Sequence, residues 1–346
     1  MKRLLLSVLT CLLITTSSQE AQEAWYLQEK ASSGNFTVSK PGYRPIIKSQ
    51  GEGSTGGDYF DDTANISATI VNIYNIGIMS MYQVDLLQLS YILANGSLYN
   101  SSCHGSNMLF YPDNFTLEKG EYVEKIEGST SDSLVNQLTI TINSPSENSK
   151  RVIGPYGTTI GKKNFTFEGY IFAFHGRTGK YVLQNIGVYY IPPAKETTYF
   201  GIPSQNFKEE PDAMNPPVVK VSKVIIYHSD RINSLQLEYR LHGGETRLGR
   251  QYPKGPAKGV LTTLVFSDNE WLIGAYGKIR KGRSQSQIQI TFVTRKADGS
   301  RSQYGPYGGA YNDDVMPTTK FNMTGTIIGY RGYFNNGLNS VGFFYF

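Results

Sequence analysis

The chain has 346 residues, enough for two domains of ordinary size, and a formal charge of +5. Its 25 Tyr and 36 Gly favour an all-β chain with many tight turns. No segment supplies the run of about twenty apolar residues that a membrane-spanning helix needs.

In chain order, residues 1–18 read as a secretory signal: Lys2 and Arg3, the apolar run Leu4 to Ile14, then Thr16-Ser17-Ser18. Its removal takes Cys11 and leaves Cys103 alone, so no internal disulfide is expected. A buried thiol is the favoured reading of Cys103, with an intermolecular bridge as the alternative. Export also fits seven Asn-x-Ser/Thr triplets, headed by Asn35, Asn65, Asn95, Asn100, Asn114, Asn164 and Asn322. Residues 19–42 are polar and aperiodic and are expected to form a flexible leader.

A first domain spans 43–193. Leu87, Leu89 and Tyr91 alternate with Gln88 and Ser90, and Leu138, Ile140 and Ile142 with Thr139 and Thr141, which predicts half-buried strands. Residues 194–217, with Lys208-Glu209-Glu210-Pro211-Asp212 and Pro216-Pro217, read as a linker. The second domain, 218–346, repeats the order of parts. Leu235 to Tyr239 matches Leu87 to Tyr91, and Glu270 to Gly277 matches Glu121 to Gly128. Gly305-Pro306-Tyr307-Gly308 matches Gly154-Pro155-Tyr156-Gly157. A repeat of this length implies two homologous β domains in tandem. From Asp212 onward 17 Lys/Arg stand against 9 Asp/Glu, a net of +8 that leaves −3 for the rest, so the halves are expected to meet different partners.

The order Gly56-Gly57-Asp58-Tyr59-Phe60-Asp61-Asp62, His104-Gly105, Gly154 to Gly157, Phe174-His175-Gly176-Arg177-Thr178-Gly179-Lys180 and Ile186-Gly187-Val188 resembles the jacalin-related lectins. It covers nearly all of the first domain and, more weakly, most of the second. The resemblance implies an all-β fold of two tandem β-prisms, each three four-stranded sheets; an ordinary β-sandwich is the runner-up. It also implies sugar binding at one apex of the prism. Gly56 and Gly57 supply the early loop, Gly179, Lys180 and Tyr181 the late one, and Gln184 stands where the family has an acid. An amide accepts one bond and donates another but brings no charge. In the second domain Asn339 replaces that acid, Asn206 to Lys220 lacks glycine, and Phe334-Asn335-Asn336-Gly337 lengthens the late loop.

These features lead to a secreted lectin that binds glycans or glycoproteins through the first domain, with no cofactor and no metal. The alternative is a matrix or adhesion protein with a degenerate sugar site. In it, Lys278, Arg280, Lys281 and Arg283, in a loop after the Trp271 strand, hold acidic or sulfated polysaccharide or a protein partner. Arg295, Lys296 and Arg301 form a second basic group around Asp298-Gly299. Nucleic acid is a poor partner for an exported chain, and homo-oligomers would raise avidity. No enzyme is expected. His104, His175, His228 and His242 show no metal spacing and are read as structural, and Asp61-Asp62 as turn chemistry.

Overall fold

The computed structural model describes the chain apart from residues 1–25, 30–35, 41, 65, 67, 107–111, 159–160, 203–206, 210, 254–257, 282–285 and 310–317; residues 26–29, 36–39 and 281 are described by backbone alone. The expected signal, Asn35, Asn65 and Arg283 thus lie outside the described residues.

Every described element is a strand, and all strand pairs are antiparallel. Alternation decides which face is buried. In Val84–Leu93, Leu87, Leu89 and Tyr91 are fully buried, while Gln88 and Ser90 turn to the wetter face. The second domain has three separate sheets of five, four and four strands around one core. In the first domain two faces run together into a ten-stranded sheet, beside a five-stranded one. The difference lies in one strand. Lys163–Thr178 pairs with Tyr122–Thr130 at its start and with Leu183–Ile191 at its end, turning the corner at Gly169 (φ 141°). The equivalent run of the second domain is broken at Gly325 (φ 125°) into Thr318–Thr324 and Ile327–Phe334. The three-faced prism is as expected, whereas four strands per face holds only for two faces of the second domain.

The repeats agree down to their irregularities. The register slips between Leu138↔Tyr156 and Ile140↔Ile153 in one domain, and between Ile290↔Tyr307 and Phe292↔Tyr304 in the other. The bulge falls at Gly154 (φ 99°) and Gly305 (φ 123°), a backbone region that only glycine enters freely.

Two expectations are corrected. The leader is not uniformly flexible: Tyr26–Glu29 pairs with Phe36–Ser39, which pairs with Ile46–Lys48 and extends that sheet. Nor are residues 194–217 a linker. Lys195–Glu196 and Phe200–Gly201 pair with Leu338–Tyr345, and Phe207–Glu209 pairs with Ile327–Phe334. These strands of two or three residues are too short to show a period, and they form because the closing hairpin would otherwise leave its edges unpaired.

The two prisms share buried structure. Val219 packs into the first domain's core. Arg44, 2% exposed, meets the carboxylate of Asp212 and the carbonyl of Pro192, and its backbone N–H donates to the Val219 carbonyl at 2.8 Å. His242 projects from the second domain to hydrogen-bond the Ile70 carbonyl at 2.8 Å and pack on Phe172, with ring centroids 4.4 Å apart. Burial lowers its pKa to about 4, so it stands there as neutral imidazole. Asn215 donates to the Glu121 carbonyl at 2.9 Å. Asp212→Ala, which strands a buried guanidinium, is expected to cost about 3 kcal/mol in urea unfolding. Lys162→Ala, which breaks the fully exposed pair with Asp132, should leave stability unchanged.

Candidate functional site

The strand Asp58–Asp61 positions the early loop. It pairs with the end of Lys163–Thr178, His175 opposite Asp61 and Thr178 opposite Asp58. Asp62, 4% exposed, receives the hydroxyl of Tyr91 and, at 2.8 Å, Nε2 of His104. The His104 ring stacks on Phe60 with centroids 3.6 Å apart. Asp61 is the hub of a second cluster. Its Oδ2 accepts from Lys48 (2.7 Å), Tyr189 (2.7 Å) and Tyr59 (3.0 Å), and its Oδ1 from the Thr63 backbone (3.0 Å). These donors outweigh desolvation and hold its pKa down at about 2, while Lys48 is raised. The turn role expected for the acidic pair is present at Asp61–Thr63, within a larger anchor.

The other histidines are structural as well. His175 is buried, its Nε2 3.1 Å from the Ser49 carbonyl, and burial takes its pKa down to about 4. A Cβ on Gly187 would lie 2.4 Å from that ring. His228 pairs with Thr262 at 3.0 Å. Among the described residues no three His, Cys, Asp or Glu side chains gather as metal ligands would.

On this anchor the two expected loops meet. The Ser54 N–H donates to the Gln184 carbonyl (2.9 Å), and Arg177 Nη1 to the Gly57 carbonyl (3.0 Å). The late loop is closed by the Gly179 N–H on the Val182 carbonyl (3.0 Å). The Gln184 side chain lies between the loops. A Cβ on Gly57 (φ 80°) would sit 2.0 Å from its Oε1, and one on Gly179 3.1 Å from its Cδ. That Oε1 is buried and has no hydrogen-bond partner among the described residues. Lys180 and Tyr181 are exposed on the rim, the ammonium 5.0 Å from the ring centroid. Gly56, Gly57, Gly179, Lys180, Tyr181 and Gln184 are thus brought together. Sequence reasoning missed Tyr59, 55% exposed, beneath which Arg177 and Lys48 lie 5.9 and 5.7 Å from the ring centroid. Its place two residues after Gly57 was the available signal.

The second domain keeps the anchor in altered form. Register places Glu209 where Asp62 stands, receiving Tyr239 (2.6 Å) in place of Tyr91, and Phe207 stacks on Tyr252 (4.5 Å) as Phe60 does on His104. The outer ion pair is reversed: Lys48 lies opposite Tyr189 and Glu196 opposite the equivalent Phe344, so Lys48–Asp61 becomes Glu196–Lys208 at 3.3 Å. At the apex, Asn339 is 1% exposed and fully engaged. Its Nδ2 donates to the carbonyls of Asn335 (2.6 Å) and Gly337 (2.8 Å), and its Oδ1 accepts from the Ser286 N–H (3.0 Å). Arg231 covers the turn, donating to the Asn336 carbonyl at 2.8 Å. This amide builds its own loop and offers nothing to a ligand.

The basic cluster is also corrected. Lys278, Arg280 and Lys281 belong to the strand Glu270–Lys281, not to a loop, because pairing with Ser286–Lys296 continues through Lys281↔Ser286. Lys278 and Arg280 are half-buried and have interaction partners. Arg295, Lys296 and Arg301 are exposed. Cys103 is exposed rather than buried: it sits in the irregular segment before His104–Gly105, where Ser101 and His104 take the inward positions. The described sequon asparagines, Asn95, Asn100, Asn114, Asn164 and Asn322, are all exposed.

Two outcomes follow from this geometry. Gly57→Ala, strained by its positive φ and by the clash with Gln184, is expected to destabilise the fold by about 1–2 kcal/mol. Gly56→Ala, whose Cβ would meet only Ser54 Oγ at 3.4 Å, should be silent in thermal melts. Asp61, with its pKa lowered, contributes stability that is complete above about pH 4 and is lost as pH falls through about 2. Asp61→Asn should therefore flatten the stability profile in that window by about 2 kcal/mol, read by urea unfolding at each pH.

A jacalin-like lectin domain model matches residues 49–189 and again 205–344. Among solved structures, a mannose binding jacalin related lectin from Ananas comosus is 28% identical over 42% of this chain and 98% of its own, with a TM-score of 0.36. A Malaysian banana lectin is 26% identical over 42% and 99%, also at 0.36. Artocarpin in complex with mannotriose is 26% identical over 41% and 95%, at 0.35. No curated protein matches the chain significantly. With the family model covering most of its length in two successive copies, the chain belongs to the jacalin-like lectin domain family.

Proposed function

We propose that the chain is a secreted, N-glycosylated lectin that binds glycans through the apical loops of its first domain. The observation that carries this reading is the convergence of the Gly56-Gly57 loop and the Gly179 to Tyr181 loop on Gln184, with Tyr59, Lys180 and Tyr181 exposed around them. Gly56, whose Cβ would meet only Ser54 Oγ, lets a sugar come close to the early loop, and the exposed Tyr59 and Tyr181 offer ring surface to the apolar side of a pyranose. The second domain takes no part, since Asn339 is consumed by its own turn. Export is supported by the sequence of residues 1–18 and by sequon asparagines that face solvent. No catalytic role is assigned, in keeping with a family of binding domains.

A second reading, adhesion of the basic second domain to acidic polysaccharide, draws on the exposed Arg295, Lys296 and Arg301. It differs in being salt-labile.

The test is a glycan panel probed with the full chain at low and physiological salt. Salt-tolerant binding is expected, lost in Gly57→Ala and strengthened by about tenfold in Gln184→Asp, which restores charge assistance. Asn339→Asp should gain no binding and should destabilise by about 1–3 kcal/mol, because a carboxylate cannot donate to the Asn335 and Gly337 carbonyls. Absence of any glycan ligand, or binding that persists in Gly57→Ala and vanishes with salt, would overturn the first-domain site.

A further inference from the structure

An open sheet edge is a template for another strand, and proteins usually blunt it. The edge strands of this chain are mostly blunted. Asp113–Thr116 carries Asp113 and the sequon at Asn114, and Leu98–Asn100 the sequon at Asn100. Ser149–Tyr156 and Arg301–Tyr307 carry basic residues and the glycine bulges, and Thr318–Thr324 carries Lys320 and the sequon at Asn322. Among the described edge strands of three or more residues the exception is Val260–Val265, Val-Leu-Thr-Thr-Leu-Val, at the edge of the four-stranded sheet whose next strand is Val218–His228. It has no charge, proline, bulge or sequon, although it holds in the second domain the place that Asp113–Thr116 holds in the first.

Its backbone polarity can be read from one bond. The Phe266 N–H donates to the Ser222 carbonyl at 2.9 Å. With a period of two, Leu264, Thr262 and Val260 turn their backbone groups toward Val218–His228. Leu261, Thr263 and Val265 turn theirs away, and nothing among the described residues pairs with them. The side chains of the same three residues face outward, Leu261 and Val265 being 52% and 67% exposed.

We infer that this edge pairs antiparallel with the same edge of a second copy of the chain, about a twofold axis through Thr263. That register is singled out by the backbone. It alone sets all of Leu261, Thr263 and Val265 opposite residues whose N–H and C=O groups also face the seam. Thr263 meets its own copy, and Leu261 meets the partner's Val265. The axis is perpendicular to the sheet, so the apolar row stays on one face and continues across the joint. Lys258 lies just before this strand and Asp268 just after it, so the twofold brings the end that carries Lys258 beside the partner's end that carries Asp268. Lys258 is exposed and in no ion pair among the described residues, and Asp268 is 68% exposed beyond its contact with Arg240. No like charges face each other. Two first-domain apices are thereby held in one particle, and avidity comes from dimerisation rather than from a second sugar site in each chain.

The experiment is sedimentation equilibrium of the full chain up to about 100 µM, where even a small specific interface is populated. Cys103→Ser serves as background, so that the exposed thiol cannot link copies. A dimer is expected, weakened at least about tenfold by Thr263→Lys, which sets two ammonium groups on the axis. Near-UV circular dichroism checks that the variant is folded. In the same background Thr263→Cys should oxidise to a covalent dimer, whereas Val260→Cys, far from its own copy in this register, should not. A monomer at about 100 µM, a folded Thr263→Lys that dimerises as the parent does, or equal cross-linking at positions 260 and 263 overturns the proposal.

Discussion

The buried acid beneath each apex governs the rest of the molecule. Asp62 cannot be solvated where it lies, so it must be met by Tyr91 and His104, and these come from the adjoining sheet. The bonds therefore tie the entering strand to two faces of the prism at once. Phe60 stacked on His104 closes the same joint from the apolar side. Once that strand is fixed, the loop before it has one course across Gln184, and the glycine at 57 becomes the residue that fits. Glu209, Tyr239 and Tyr252 reproduce the joint in the second domain with different side chains.

The reversal of the outer ion pair shows which feature of the joint the two repeats share. Lys48–Asp61 and Glu196–Lys208 exchange signs across the same two backbone positions. In both, the lysine lies near the same closing-strand ring, 5.0 Å from the Tyr189 centroid and 5.5 Å from that of Phe344. Attraction between strands is retained while polarity is free to change. The apex is different. The place that Gln184 takes between two loops is taken in the second domain by Asn339, which holds a longer turn.

Much of this was legible before any coordinates. The duplicated Gly-Pro-Tyr-Gly, the alternating strands and the two loops are local signals, and each becomes a bulge, a half-buried strand or a rim of the site. The unread features have a common cause. Lys195–Glu196 and Phe200–Gly201 are shorter than one full alternation, so their strand character comes from the hairpin they join. Asn339 reads as the loss of an acid from a half-missing site, and the role it took instead is seen only in its bonds to Asn335, Gly337 and Ser286. The Trp271 strand runs on through Lys281 although its final residues are basic, because its ladder with Ser286–Lys296 continues to Lys281↔Ser286. Cys103 looked like a core thiol by residue type, but its irregular segment gives the inward places to its neighbours.

Val219 sits inside the first prism although it belongs to the second, and Arg44 finds its carboxylate on the segment between them. The module defined by family resemblance and the unit able to fold by itself therefore do not coincide. A first domain cut after residue 193 would lack Val219 from its core and Asp212 beside Arg44. A workable minimal lectin from this chain would carry its sequence past residue 219 or replace Arg44 with an apolar residue. The end of the sequence repeat is thus not the end of the packed core.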